Sequence, residues 1–128
     1  MKNYMVTHTF KSAEMKAKFT ETVASMKMED IVKSMKSDNA ACQMTWNTPG
    51  DTMEMFCWWK GKDEQAIINQ LGQMNDFFTP HKFVECTDQV MDYNALDIYD
   101  RKIWKRILFN NLFSSFHYSW KLRLPTSI

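Results

Sequence analysis

The pattern of hydrophobic and polar positions changes its period several times along the first 90 residues. Apolar and polar residues alternate, as is typical of β-strands, in four segments: 3–10, 40–47, 53–61 and 81–90. Apolar residues recur at helical spacing between the first and second segments, and again between the third and fourth. A strong turn signal, TPGD, joins the two central strands. The predicted order is strand–helix–strand–strand–helix–strand.

The first helical region carries its own start and stop signals. Ser12 is the predicted N-cap, and an apolar stripe runs from Met15 to Met26. The stripe loses phase at KMED (27–30), so we expect a break and then a short second helix that ends near Lys36. A further helix is predicted over residues 62–74.

This element order predicts an α+β, ferredoxin-like βαββαβ fold, with a four-stranded antiparallel sheet and the helices on one face. Residue parity then sorts the strands into two faces. The more apolar set is assigned to the helices: Tyr4, Val6, His8, Phe10, Cys42, Met44, Trp46, Met53, Met55, Cys57, Trp59, Val84 and Cys86. The mixed set is assigned to the open face: Met5, Thr7, Thr9, Gln43, Thr45, Glu54, Phe56, Trp58, Phe83, Glu85 and Thr87. Exposed apolar area of this kind favours association, so two copies are expected to pair face to face and bury Phe56 and Trp58.

Three segments carry a resemblance to a known group: NYMVTHTF (3–10), MEMFCWWKGKDEQAIINQL (53–71) and FVECTDQV (83–90). They resemble the small dimeric α/β-barrel proteins of the ferredoxin-like class, a group of mostly uncharacterised bacterial proteins that includes a nickel-binding member. The resemblance covers residues 2–90 and implies a homodimer whose two sheets enclose a barrel. It implies no catalytic residue, because the wider superfamily includes monooxygenases, decyclising enzymes and haem-binding proteins.

Polar residues of the predicted open face gather toward one end of the barrel, with aromatic residues deeper. The candidate ligand-binding residues are Thr7, Thr9, Thr45, Glu54, Trp58 and Glu85. Apolar walls with a few convergent polar groups are the usual form of a small-ligand site, so the leading hypothesis is a small-ligand-binding homodimer. One alternative is a cofactor-independent monooxygenase or isomerase that uses a barrel carboxylate or His8 as acid or base. Another is a structural network in which these groups satisfy one another.

Imidazoles and thiols raise the separate possibility of a nickel or zinc site. His81 begins the fourth strand beside the end of the first, so it is a candidate ligand together with His8, although their parities differ. Cys42, Cys57 and Cys86 do not converge with His8 in the predicted register, and we expect them to behave as small apolar core residues. No glycine-rich phosphate loop, GxSxG or HExxH motif is present.

Charge divides the chain near Ala95. Residues 1–95 hold 10 basic and 13 acidic side chains, whereas residues 96–128 hold 6 basic and 2 acidic ones, which gives the total of +1. We therefore predict a barrel domain over 1–95 and a C-terminal extension over 96–128. Within the extension, residues 101–112 have the pattern of a basic amphipathic helix, which suits packing on its own protein, a partner protein or a membrane surface. The near-neutral total gives no case for nucleic acid.

The cysteines, the N-terminal segment and the lengths of the apolar runs bear on the cellular compartment of the protein. Three cysteines without close spacing predict a reducing environment, and MKNYMVTHTF is too polar for a signal peptide. No run approaches the ~18 apolar residues of a membrane span. The sequence predicts a cytoplasmic protein.

Overall fold

The computed structural model describes residues 1–94, and residues Met1–Gln89 form a compact unit. The predicted boundary near Ala95 and the predicted amphipathic helix lie outside the described residues. The strands are β1 (Lys2–Thr9), β2 (Ala40–Trp46), β3 (Glu54–Gly61) and β4 (Lys82–Cys86), and the helices are α1 (Ala13–Ser25), α2 (Met28–Ser34) and α3 (Glu64–Leu71). No helix in this part of the chain is long and apolar enough to cross a membrane.

The four strands form one antiparallel sheet in the order β2-β3-β1-β4. This α+β architecture agrees with the predicted element order and is broadly compatible with a ferredoxin-like fold. The first strand lies in the interior of the sheet between β3 and β4, while β2 and β4 form its edges. Within residues 1–94, no helix covers the face of the sheet on which Met5, Phe56 and Val84 are exposed.

The helices begin and end at residues with recognisable capping or helix-breaking properties. The Ser12 side chain accepts a hydrogen bond from the Met15 backbone N–H, so the predicted N-cap of α1 is confirmed. The predicted break is also present, because α1 ends at Ser25 and α2 begins at Met28. The third helix ends earlier than predicted: Gly72 has a positive φ of 54°, and a 3₁₀ turn follows over Gly72–Phe77.

The core lies between the sheet and the helices. Its buried apolar members are Tyr4, Val6, Phe10, Ala40, Met55, Cys57, Trp59, Ile67, Leu71 and Phe78. Trp59 is completely buried and is the largest side chain of the core. Phe19 joins α1 to this core through edge-on contacts with Phe10 and Phe78. We call this side of the sheet the helix face and the opposite side the open face.

A β-bulge in β2 changes which residues reach each face. Cys42 lies opposite Trp59 but Met44 lies opposite Trp58, so Gln43 is one extra residue on β2. Beyond the bulge the alternation is inverted, and Met44 and Trp46 lie on the open face rather than on the predicted helix face. Thr45, predicted on the open face, instead pairs with Cys57 on the helix face.

The parity predicted for β4 is wrong throughout the strand. Phe83 lies opposite Val6 and packs against the core, whereas Val84 lies opposite Met5 on the open face. Cys86 likewise lies opposite Asn3 and is exposed. The strand HKFVEC has an apolar residue at both parities, so only its pairing with β1 decides its orientation. The strand is also shorter than the predicted range 81–90.

Candidate functional site

The open face combines large apolar side chains with polar groups at its end. Five apolar residues of this face are 39–52% exposed: Met5, Met44, Trp46, Phe56 and Val84. They come from all four strands, so the apolar area is continuous across the width of the sheet. An unbroken apolar area of this kind is the usual mark of an interaction surface.

Four of the predicted ligand-binding residues share this face. Thr9 lies opposite Glu54, Thr7 lies opposite Phe56, and Trp58 lies opposite Met5. Both threonines are half-buried and Glu54 is exposed. The two hydroxyls and the carboxylate thus lie at the end of the face where β1 finishes and β3 begins, and the aromatic rings lie further along β3.

Asn3 fixes the orientation of Trp58, a contact that the sequence did not suggest. The Trp58 indole Nε1 donates to Asn3 Oδ1 over 3.0 Å, and Asn3 Nδ2 donates to Asp88 Oδ1 over 2.7 Å. Asn3 is only 6% exposed, which makes it a buried polar residue on the open face. The ring of Trp58 is therefore held from one edge while one of its surfaces stays accessible.

Thr45 and Glu85 do not join this group. The bulge turns Thr45 to the helix face, where its Oγ1 lies 3.2 Å from Cys57 Sγ. Glu85 lies opposite Tyr4 on the helix face and forms a surface ion pair with Lys2 over 3.2 Å. That ion pair raises the pKa of Lys2. The predicted six-residue pocket is thus divided between the two faces, with four of its members on the open one.

The two predicted metal ligands, by contrast, are brought together. His8 Nδ1 and His81 Nδ1 are 2.8 Å apart, and the rings meet edge-on with centroids separated by 4.5 Å. The corrected orientation of β4 explains this, because it places His81 on the same side of the sheet as His8. No twist of the strand end is required.

Hydrogen bonding assigns the tautomers of this pair. Asn75 Nδ2 donates to the Ile68 and Gly72 carbonyls, so Asn75 Oδ1 faces His81 Nε2 as an acceptor. His81 therefore carries its proton on Nε2, and its Nδ1 accepts from His8 Nδ1–H. The remaining nitrogen, His8 Nε2, is an acceptor that has no hydrogen-bond partner among residues 1–94, and His8 is fully buried.

This arrangement resists protonation. The neutral pair already has protons on His81 Nε2 and between the two Nδ1 atoms, so an added proton must reside on buried His8 Nε2. Burial, together with the nearby His81, lowers the pKa of His8 to about 3. Burial also lowers the pKa of His81. Both imidazoles are consequently neutral at physiological pH.

Ligation of one metal ion by both imidazoles would require this network to break, since both ring nitrogens of His81 are already hydrogen-bonded, Nδ1 to His8 and Nε2 to Asn75. The residues that the structure describes contain no group of three or more His, Cys, Asp or Glu side chains placed to hold a metal ion. The cysteines do not add to the pair: Cys86 is exposed on the open face, and Cys42 and Cys57, although they share the helix face with the histidines, form no such group with them. We find the histidines better suited to joining β1 to β4 and the 3₁₀ turn.

A shallow polar groove lies away from the open face. It has a volume of about 330 Å³ and is lined mainly by the start of α3 and the turn before β2, including Asn39, Lys62 and Gln70. Its lining contains none of the predicted ligand-binding residues.

Comparison of the chain with protein-family models, curated proteins and solved structures gives no match.

Proposed function

We propose that the protein is a homodimer that packs its two open faces together and binds a small molecule between them. The observation that carries this proposal is the band of five exposed apolar side chains across all four strands, from Met44 on one edge to Val84 on the other. Two sheets pack face to face about 10 Å apart with interdigitating side chains. A second copy supplies a sheet of matching shape and size.

The sequence of β3 on the open face supports a second copy as the partner. Four residues point outward in succession: Glu54, Phe56, Trp58 and Lys60. A two-fold axis that crosses this strand between Phe56 and Trp58 would run the two copies of β3 antiparallel. The acid at one end would then face the base of the other copy, and Phe56 would face Trp58. An isologous interface requires such self-complementarity.

The polar residues at one end of the open face support the proposal that a small molecule binds there. In the paired arrangement, Thr7, Thr9 and Glu54 would line the mouth of the space between the sheets, and Trp58 its wall. Hydroxyls, a carboxylate and an aromatic surface suit a small molecule with a flat apolar body and one hydrogen-bonding end. Thr45 and Glu85 are not part of this site, because they lie on the helix face.

Light scattering on the full chain tests the dimer. At micromolar concentration, we expect twice the chain mass of 15.2 kDa. Glu54→Lys or Lys60→Glu alone should weaken the dimer, because each places like charges opposite one another, and the double variant should restore it. A wild-type monomer over this range would overturn the proposal, and a double variant no better than either single variant would overturn the antiparallel pairing.

A thermal-shift screen against aromatic carboxylic acids, haem and divalent metals tests the ligand. A compound at 100-fold its dissociation constant adds about 2.7 kcal/mol to the free energy of unfolding. Any stabilisation should be reduced by Glu54→Gln and Thr7→Val but retained by Glu85→Gln, the matched carboxylate on the helix face. Equal loss in Glu54→Gln and Glu85→Gln would exclude the open face as the binding site.

A further inference from the structure

The bulge in β2 creates a thiol cluster that neither strand would form with regular pairing. Thr45, turned inward by the extra residue Gln43, has its Oγ1 3.2 Å from Cys57 Sγ and 3.6 Å from Cys42 Sγ. Cys42 Sγ also lies 3.6 Å from the Met44 carbonyl oxygen. Two thiols from neighbouring strands therefore share one hydroxyl at an edge of the sheet.

The two sulfur atoms differ in their access to solvent. Cys57 is 3% exposed and belongs to the core. Cys42 is half-buried, and Thr45 beside it is exposed. A small dissolved molecule can thus reach Cys42 more readily than Cys57.

The pKa values of the two thiols also differ, and the more exposed Cys42 has the lower one. Hydrogen bonding with the Cys57 thiol, supported by the Thr45 hydroxyl, lowers the pKa of Cys42 to about 7. The same interaction and burial raise the pKa of Cys57. At neutral pH, a substantial fraction of Cys42 is thiolate, the form that acts as a nucleophile, while Cys57 keeps its proton.

We propose that Cys42 and Cys57 form a peroxide-reactive dithiol, in which Cys42 is attacked first and Cys57 closes a disulfide. The Cys42 thiolate attacks the outer oxygen of a hydroperoxide, the O–O bond breaks, and an alcohol or water leaves after taking up a proton. Cys42 is then a sulfenic acid. The Cys57 sulfur, on losing its proton, attacks the Cys42 sulfur; the S–O bond breaks and water leaves. In total, two thiols and one hydroperoxide give a disulfide, an alcohol and a water.

The product would join β2 to β3 covalently beside the bulge. Cys86 supplies an internal control, since its sulfur lies on the opposite face, its nearest hydrogen-bond acceptor is the Val84 carbonyl, and it is exposed. Simple exposure would make Cys86 the first cysteine to react. The proposal predicts that Cys42 reacts first and that the reaction consumes the pair.

The experiment treats the full chain with a small molar excess of hydrogen peroxide, counts free thiols and maps peptides by mass. We expect the three free thiols to fall to one, a Cys42–Cys57 peptide that is lighter by about 2 Da than its reduced parts, and recovery with a dithiol reductant. Disulfide-linked dimers, oxidation of Cys86 ahead of the pair, or oxygen addition to Cys42 without a Cys42–Cys57 peptide would overturn the proposal.

Variants assign the two roles. Cys57→Ser should stop the reaction at a Cys42 sulfenic acid that dimedone traps, Cys42→Ser should remove the fast phase, and Cys86→Ser should leave the pair's reaction unchanged. Because Cys57 is a core residue, circular dichroism must show that Cys57→Ser is folded. The peptide map of the wild-type chain decides the proposal whether or not that variant folds.

Discussion

The two faces of one β-strand differ more than the strand's sequence suggests. In β1, Tyr4, Val6 and His8 are each at most 4% exposed, whereas Met5 between them is 39% exposed. On the helix face, His8 and His81 hydrogen-bond to each other within the chain. On the open face, large apolar groups remain in contact with solvent. Within residues 1–94, the chain therefore covers the helix face with its own side chains and leaves the large apolar groups of the open face exposed.

Removing the largest side chain of the helix face should give the largest effect. Trp59 is fully buried, so Trp59→Ala leaves a cavity and should lower the free energy of unfolding by about 3–5 kcal/mol. Urea denaturation followed by circular dichroism measures this. A loss below about 1 kcal/mol, the range expected of an accessible position, would contradict the assignment of Trp59 to the core.

Acidification should act on the helix face through His8. The unfolded chain binds a proton on this imidazole below about pH 6.5, whereas the folded chain does not until about pH 3. The free energy of unfolding is therefore highest above pH 6.5 and falls as the pH decreases across this window. Between pH 6.5 and 5, His8 should account for a loss of about 2 kcal/mol.

Chemical denaturation of wild type and His8→Phe at several pH values checks this effect. The variant lacks the titrating group, so its stability should fall less steeply over the same interval. Parallel curves for the two proteins would show that His8 is accessible to protons in the folded state. That result would contradict the conclusion that burial of His8 Nε2 keeps this imidazole neutral in the folded chain.

A smaller effect is expected from the residue that sets the tautomers. Asn75→Ala removes the acceptor for His81 Nε2–H and the donors to two carbonyls, and should cost about 1 kcal/mol or more. Asn69→Ala is the matched control, because within residues 1–94 the Asn69 side chain bonds only Gln65, on an exposed surface of α3. Equal stabilities of the two variants by urea denaturation would mean that the histidine network contributes nothing to folding.

The smallest effect on folding itself should come from the open face. Phe56→Ala should change the stability of the single chain by at most about 0.5 kcal/mol, because Phe56 is 40% exposed. The unfolding midpoint of the wild type, however, should rise with protein concentration, and that of Phe56→Ala should not, since dimerisation stabilises by mass action. A wild-type unfolding midpoint that does not depend on protein concentration would indicate that no second copy binds this face.

The order of elements could be predicted because it depends on local periodicity. The helix start at Ser12 and the break before Met28 follow from residues within one or two turns. The faces of β2 and β4 could not be predicted, because they depend on pairing between distant segments. One extra residue, Gln43, reverses the orientation of everything that follows it in β2, and nothing in the letters QMTW marks it.

The face on which each candidate site residue lies could be predicted only where the pairing of its strand is regular. Thr7, Thr9, Glu54 and Trp58 lie in the two central strands, whose regular pairing keeps the sequence parity. Thr45 and Glu85 lie in the edge strands, where parity failed. Strand order allowed His81 to approach His8, but the predicted parity put them on opposite faces, and Asn75, which fixes their protons, lies in a 3₁₀ turn that the sequence did not predict.

The bulge and the short strands also determine how the sheet avoids growing. An edge strand with free backbone groups invites another strand to add to it and so promotes aggregation. The outer edge of β2 is partly occupied by its own chain, since Cys42 N–H donates to the Met35 carbonyl over 2.9 Å, and beyond that point the bulge distorts the ladder. At the opposite edge, β4 has only five residues, two of them charged. Both edges are therefore poor templates for strand addition, and the proposed contacts between copies would lie instead on the flat surface of the sheet, where two chains suffice to close them.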